Sequence, residues 1–140
     1  KKFIENDEKE KGIRKILNFG HTFAHAYEAT LKYSNKLNHG EAVLLGIQTA
    51  LKFSFKNKLL DKKDYSGIIN HLNNPPLPSK ITKYFSVKDL NKILFFMTKD
   101  KKNNSHKIQL LLLKKIGYAI TNKEYKNEKL KSFLKKELTN

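Results

Sequence analysis

Three of the five histidines in this 140-residue sequence, His21, His25 and His39, fall close together. His21 and His25 are one helical turn apart, a spacing at which two imidazoles on one helix face can bind a single divalent metal. His39 adds a third nitrogen if the intervening loop turns the chain back on itself. The other interpretation is that these are ordinary helical histidines whose rings bond to backbone carbonyls. Spacing alone leaves both interpretations open.

Two more polar side chains precede the histidines at helical spacing. Arg14 and Asn18 come before His21 and His25 at intervals that place all four on one narrow arc of a continuous helix. Arg14 is the only arginine in the chain, and its planar guanidinium suits a carboxylate or a phosphate. The pattern therefore predicts that an anionic small molecule binds beside a metal.

The elements that must position these residues are mostly helices. Apolar residues at helical spacing, and two short apolar runs around a glycine, predict a mainly α fold: a multi-helix domain with one small two-stranded β element. Ser86 and Asp89 have the spacing of a capping box at the start of the fourth helix, whose buried side is predicted to include Val87. The predicted helices are residues 13–32, 41–56, 62–72, 86–98 and 123–138, and the predicted strands are 108–113 and 118–120. The inner face of the second helix is predicted to hold Val43, Leu44, Ile47, Ala50, Leu51 and Phe55.

Composition restricts the class of protein. The formal net charge is +16, but the lysines are spread along the chain, which favours a solvated surface over a dedicated nucleic-acid surface. The lack of cysteine excludes disulfides and thiolate metal ligands. No apolar run approaches the roughly 18 residues of a membrane span, so we expect a cytoplasmic protein that contacts no membrane. His71 and His106 do not belong to such a cluster of candidate site residues and are predicted to be surface residues.

The histidine region as a whole has a specific pattern. It reads RxxLNFGHTFxHAxE at residues 14–28, followed by HGEAV at 39–43. This closely resembles the 3-dehydroquinate synthases, and the acidic lead-in at 7–14, DKKN at 100–103 and IG at 116–117 agree in order. The resemblance runs over nearly the whole chain but covers only the family's C-terminal domain. It implies that residues 1–140 are a metal- and substrate-binding helical domain and that the NAD-binding N-terminal domain is absent from this chain.

The resemblance also implies an activity. The family are lyases that convert 3-deoxy-D-arabino-heptulosonate 7-phosphate to 3-dehydroquinate and phosphate, in the shikimate pathway of aromatic amino acid biosynthesis. They use NAD⁺ and one zinc ion, or another divalent metal such as Co²⁺, and are commonly homodimers. The expected partners are thus a phosphorylated sugar acid, the chain's own N-terminal domain and a second copy, with no specific nucleic acid. No residue of this chain is expected to bind NAD⁺, and the chain alone is expected to be inactive.

Roles for the histidines follow from the same resemblance. It implies that His21 and His39 are zinc ligands and that the third ligand, a glutamate, lies upstream of residue 1. His25 then leaves the metal set and contacts the substrate phosphate. This assignment splits the pair that spacing alone would have joined.

Roles for the remaining polar residues are implied in the same way. Asn18 belongs to the phosphate pocket and Arg14 to the substrate carboxylate. Lys102 is implied as the phosphate-binding lysine, with Lys101 as the alternative. The resemblance leaves the choice between the two lysines open.

Two carboxylates and one small residue complete the expectations. Glu41 either accepts a hydrogen bond from the His39 ring and so orients it, or simply stabilises the start of its helix. Glu28 is expected on a helix surface or as a partner between helices. Ala24 replaces the glycine usual in the family, and its methyl group is expected to crowd a neighbouring helix without removing a ligand.

Other functions stay open at this point. A related sugar phosphate cyclase, of the inosose or valiolone synthase type, would share the two-histidine pattern. Arg14 and the run at residues 100–102 favour dehydroquinate synthase over it, because the substrate of that synthase adds a carboxylate. A metal-dependent polyol dehydrogenase would have a similar architecture but would lack the Leu-Asn-Phe-Gly lead. A basic nucleic-acid-binding module would bind in a salt-dependent manner and without metal.

Overall fold

The computed structural model describes residues 20–72, 80–99, 107–115 and 118–139. That part of the chain contains five α-helices and one antiparallel β-hairpin, which confirms the mainly helical fold with a single two-stranded β element. Short 3-10 turns cover Ile81–Lys83 and Val87–Asp89. The helices are α1 (His21–Thr30), α2 (His39–Lys56), α3 (Lys62–Leu72), α4 (Leu90–Lys99) and α5 (Asn127–Thr139), and the strands are β1 (Lys107–Lys115) and β2 (Tyr118–Lys126). No helix among the described residues is both long enough and apolar enough to cross a membrane.

Helix α1 begins at His21, so the prediction of one continuous helix over residues 13–32 is wrong at Gly20. Gly20 is the N-cap and has a left-handed backbone, with φ 83° and ψ −7°. A side chain there would also collide with α2, because a Cβ atom would lie 2.7 Å from the backbone nitrogen of Ile47. The helical arc that was to carry Arg14 and Asn18 with the histidines is thus interrupted, and both of those residues lie outside the described ranges.

Small residues set the contact between α1 and α2, which we call the glycine contact (Gly20, Ala24 and Gly46). A Cβ atom on Gly46 would overlap the carbonyl oxygen of Gly20 and lie 2.9 Å from the backbone nitrogen of Ala24. Ala24 is wholly buried, and its methyl group faces Gly46. The Ala24 methyl thus lies against the neighbouring helix at Gly46, which has no side chain and provides the space for it.

The buried face of α2 differs from the predicted one. Ala50 and Leu51 are buried as expected, but Val43, Leu44, Ile47 and Phe55 are only half-buried. Other α2 side chains fill the core instead: Ala42, Leu45, Thr49, Phe53 and Ser54. Apolar residues occur nearly all round this helix, so their pattern alone does not identify the inner face.

The C-terminal elements pack on α2 through aromatic rings. Phe53 makes edge contacts with Tyr125 of β2 and Phe133 of α5, at centroid distances of 4.8 and 5.0 Å. In the hairpin, Ile108 pairs with Tyr125. Because β2 continues through Lys126, the last helix begins at Asn127 and not at residue 123 as predicted.

The start of α4 follows its predicted cap but not its predicted burial. The Ser86–Asp89 capping box is present, so that prediction is confirmed. It caps a 3-10 turn that precedes the α-helix, and Val87 in that turn is 40% exposed instead of buried. The α4 residues Leu90, Ile93 and Met97 are buried, as their helical spacing predicts.

Candidate active site

Helix α1 presents two of the three clustered histidines. His21 and His25 lie one turn apart, and their rings stack with a centroid distance of 5.4 Å and an angle of 21° between planes. Phe23 and Tyr27 of the same helix are buried on its other side, so packing fixes the face that the histidines occupy. His25 is exposed and His21 is half-buried.

The third histidine is the first residue of α2. Asn38 is the N-cap: its side-chain oxygen accepts a hydrogen bond from the backbone N–H of Glu41 at 2.8 Å. The Glu41 carboxylate in return accepts from the backbone N–H of Asn38 at 3.0 Å. This capping box starts the helix at His39. Of the two roles expected for Glu41, the structure gives it the one at the helix start.

The carboxylate at His39 belongs to Glu28. The Oε2 atom of Glu28 lies 2.8 Å from Nδ1 of His39, and the contact joins α1 to α2. Glu28 is therefore a partner between helices, which is one of its two expected roles. Its spacing from His21 and His25 places it on their face of α1, and this was the sequence signal for its place in the site.

The surroundings of His21 lower its pKa. Burial lowers the pKa of His21, and the nearby His25 and His39 lower it further, while Glu28 acts in the opposite direction. The neutral imidazole, which is the form that binds a metal, is therefore favoured at His21.

A groove opens beside the histidines. Its volume of about 780 Å³ is in the range of small-molecule sites. Lys32 and Tyr33 at its rim have φ values of 57° and 55°, a left-handed conformation that is uncommon for residues other than glycine. We call it the histidine groove, and the residues that line it are His25, Glu28, Ala29, Lys32, Tyr33, His39 and Phe96.

A smaller cavity of about 300 Å³ has different surroundings. Its described lining comes from α2, α3, α5 and the 3-10 turn at residues 81–83, and includes the ion pair between Lys52 and Glu137, 2.9 Å apart. The clustered histidines do not belong to that described lining. The histidine groove, and not this smaller cavity, is therefore lined by histidines that are predicted to bind metal or substrate.

The described residues include only part of the expected site. His21, His25 and His39 are brought together, while Arg14, Asn18, Lys101, Lys102 and His106 lie outside the described ranges. His71, at the end of α3, is exposed, as predicted.

The donor set fits a metal in part. Within the described ranges, no group of three or more His, Cys, Asp or Glu side chains is arranged to hold a metal ion. His21 and His39 nevertheless offer imidazole nitrogens, which are common zinc ligands. A carboxylate on the second nitrogen, as Glu28 provides for His39, is the usual companion of a metal-bound histidine. The two residues are therefore chemically suited to be two of the ligands of a metal ion.

Comparisons with known sequences match this chain to one family. A sequence model of the family described as 3-dehydroquinate synthase C-terminal matches residues 1–103. The 3-dehydroquinate synthase of Pelagibacter ubique (strain HTCC1062) is 60% identical over 139 residues, covering 99% of this chain and 38% of that protein. The 3-dehydroquinate synthase of Zymomonas mobilis is 38% identical over 132 residues, covering 94% and 35%. The chain thus spans little more than a third of the length of these curated relatives.

A solved structure shares the fold. A 2-deoxy-scyllo-inosose synthase, complexed with carbaglucose-6-phosphate, NAD⁺ and Co²⁺, superposes with a TM-score of 0.67 and 24% identity. The match covers 88% of this chain and 34% of that one. At this identity the likeness shows the fold alone.

Proposed function

The chain belongs to the 3-dehydroquinate synthase C-terminal family, and from that premise we propose that it forms the metal- and substrate-binding domain of a 3-dehydroquinate synthase. The complete enzyme would convert 3-deoxy-D-arabino-heptulosonate 7-phosphate to 3-dehydroquinate and phosphate. The Pelagibacter ubique protein of that name, 60% identical to this chain, supports the proposal over other sugar phosphate cyclases.

The observation that carries the proposal is the meeting of α1 and α2 at the histidines. His39 stands at the first position of α2 and bonds to Glu28 of α1, one turn beyond His25. In the proposed site His21 and His39 hold a divalent cation, zinc or cobalt, and a glutamate from outside this chain completes the set. When bound, such a cation acidifies a substrate hydroxyl and polarises a carbonyl.

The substrate occupies the histidine groove in this proposal. Its phosphate lies at His25, which is exposed in the groove and can donate hydrogen bonds to phosphate oxygens. Lys32 at the rim adds a positive charge that favours an anionic substrate. Asn18 and Lys102 for the phosphate, and Arg14 for the carboxylate, remain predictions from the sequence.

The chain's own side chains contribute positioning and charge. Holding the phosphate and the carboxylate at separate points limits the motion left to the substrate when the phosphate departs. Donors fixed around the phosphate stabilise the charge that it carries as it leaves. NAD⁺ binding by another domain, a homodimer and a cytoplasmic location complete the proposal.

The test is phosphate release by the full-length protein supplied with NAD⁺ and zinc. We expect turnover of the heptulosonate phosphate, and we expect His25→Ala to lower it by about 100-fold or more. His71→Ala is the matched control, because His71 is an exposed histidine on another helix and should leave turnover unchanged. Absence of phosphate release by the wild-type protein, or full turnover by His25→Ala, would contradict the proposal.

Substrate choice separates the two cyclase types. An enzyme for the heptulosonate should discriminate strongly against a hexose phosphate that lacks the carboxylate. A preference for the hexose phosphate would instead assign the site to an inosose synthase type of reaction. Kinetics on both substrates, measured as kcat/KM, give the answer.

A further inference from the structure

We propose that Glu28 is a positioning residue that fixes the orientation and the tautomer of His39 for metal binding. This inference rests on the proposed function, in which His39 is a metal ligand. It assigns a task to a buried carboxylate that the reaction itself does not use.

The geometry of the hydrogen bond determines which nitrogen of His39 carries the proton. Oε2 of Glu28 and Nδ1 of His39 are 2.8 Å apart. An ionised carboxylate only accepts hydrogen bonds, so Nδ1 must be the nitrogen that carries the proton. In the neutral ring the lone pair then lies on Nε2, which is left to face a metal. A carboxylate bonded to Nδ1 also raises the basicity of the ring, so Nε2 donates its electron pair to the metal more strongly.

The two partners of this hydrogen bond differ in burial. The side chain of Glu28 is 10% exposed, whereas that of His39 is 68% exposed. Packing therefore restrains Glu28 but hardly restrains the His39 ring, which stands in the open first turn of α2. The hydrogen bond to a fixed carboxylate supplies the restraint that packing does not.

A carboxylate at the position of Glu28 carries a cost in stability. A buried carboxylate destabilises a fold unless it is paired. Helix α1 nevertheless buries Glu28, which is only 8% exposed. The pairing with His39 offsets that cost, and it gives the buried charge a use at the site.

Glu41 provides a natural control. It lies two residues after His39, and its carboxylate bonds to the backbone N–H of Asn38 in the capping box. Glutamine can replace glutamate in a capping box. Glu28→Gln and Glu41→Gln therefore each remove one negative charge near His39, but only Glu28→Gln changes the group that bonds to the ring.

The experiment measures zinc affinity of the full-length protein by competition with a chromophoric chelator. We expect Glu28→Gln to weaken zinc binding by about 10-fold, because the amide oxygen still accepts the bond without the charge. Glu28→Ala should weaken it by about 100-fold, since no acceptor remains. Glu41→Gln should stay within about twofold of the wild type, because the His39 contact is intact.

The visible spectrum of the Co²⁺-substituted protein gives a second readout. Because this spectrum follows the ligand geometry, it should change in Glu28→Gln and not in Glu41→Gln. If Glu28→Ala does not fold, the nearly isosteric Glu28→Gln still decides the question. Equal zinc affinities and equal cobalt spectra for Glu28→Gln and Glu41→Gln would overturn the inference.

The variant His39→Ala distinguishes a failure of this inference from a failure of the proposed function. If His39→Ala loses zinc while Glu28→Gln retains wild-type affinity, the inference fails and the proposed function stands. If His39→Ala retains zinc, the assignment of the metal ligands fails, and the inference fails with it.

Discussion

Helices α1 and α2 meet in two regions of opposite character. At the glycine contact, Gly20 and Ala24 lie against Gly46 so closely that no further atom fits. In the histidine groove the same helices leave an open space, beside which His39 hydrogen-bonds to the buried Glu28. The first region sets the distance between the helices by shape, whereas the second exposes polar groups to a ligand. Stability and binding should therefore respond to different substitutions.

The largest loss of stability is expected at the glycine contact. Gly46→Ala places a methyl group against the backbone of Gly20 and Ala24, which cannot move away without separating the helices. We expect the free energy of unfolding to fall by about 3 kcal/mol. Denaturant unfolding of the full-length protein measures the change.

Gly67→Ala is the matched control for that substitution. Gly67 lies within α3, and a Cβ atom there would have no neighbour within 4 Å. Alanine is the better helix former by roughly 1 kcal/mol, so this substitution should stabilise the protein slightly. Equal effects of the two substitutions would mean that the glycine contact does not set the helix distance.

A smaller loss of stability is expected when Tyr27 is substituted. Tyr27 is buried on the side of α1 away from the histidines and bonds to α2. Its hydroxyl lies 2.7 Å from Oγ1 of Thr49, and Thr49 donates its own proton to the carbonyl of Leu45. Tyr27 is therefore the donor. Because Tyr27→Phe leaves Thr49 with a partner, the expected loss is only about 1 kcal/mol at neutral pH.

The same residue predicts a dependence on alkaline pH. Burial raises the pKa of the Tyr27 phenol well above its ordinary value of 10. Above pH 10 the unfolded chain releases this proton and the folded chain keeps it, so stability falls as the pH rises, by up to about 1.4 kcal/mol per pH unit. Tyr27→Phe should make the alkaline loss shallower. An identical slope in both proteins would show that Tyr27 ionises as readily in the folded state.

The smallest change in stability is expected in the histidine groove. His25 is exposed, so His25→Ala should alter the free energy of unfolding by less than about 0.5 kcal/mol. The same substitution is expected to abolish most of the turnover. A large loss of stability would mean that the groove also holds the helices together, and the contrast between the two regions would then be lost.

Local patterns predicted much of this fold. The bounds of α3 and the Ser86–Asp89 capping box follow from helical spacing and cap chemistry, which are properties of neighbouring residues. The break at Gly20 was not predicted, because apolar periodicity continues through it. The backbone of α2 also comes too close to Gly20 for any side chain to fit, and no local pattern contains that approach. The start of α5 was misplaced because Tyr125 suits a strand as well as a helix.

The candidate site, too, could be predicted only in part from local patterns of the sequence. Residue type and spacing predicted the grouping of His21, His25 and His39. They did not identify the carboxylate that bonds to His39, because proximity in the sequence favoured Glu41. The packing of α1 on α2 brings Glu28 to the ring instead, while the local capping geometry turns the Glu41 carboxylate to the backbone.

The metal content of the purified full-length protein tests the central claim most directly. Elemental analysis should find about one zinc ion per chain in the wild type and in His25→Ala. His21→Ala and His39→Ala should each retain less than roughly a tenth of that amount, since each removes one of few ligands. Full occupancy in either of those two variants, or loss of zinc from His25→Ala, would contradict the division of the three histidines between metal and substrate.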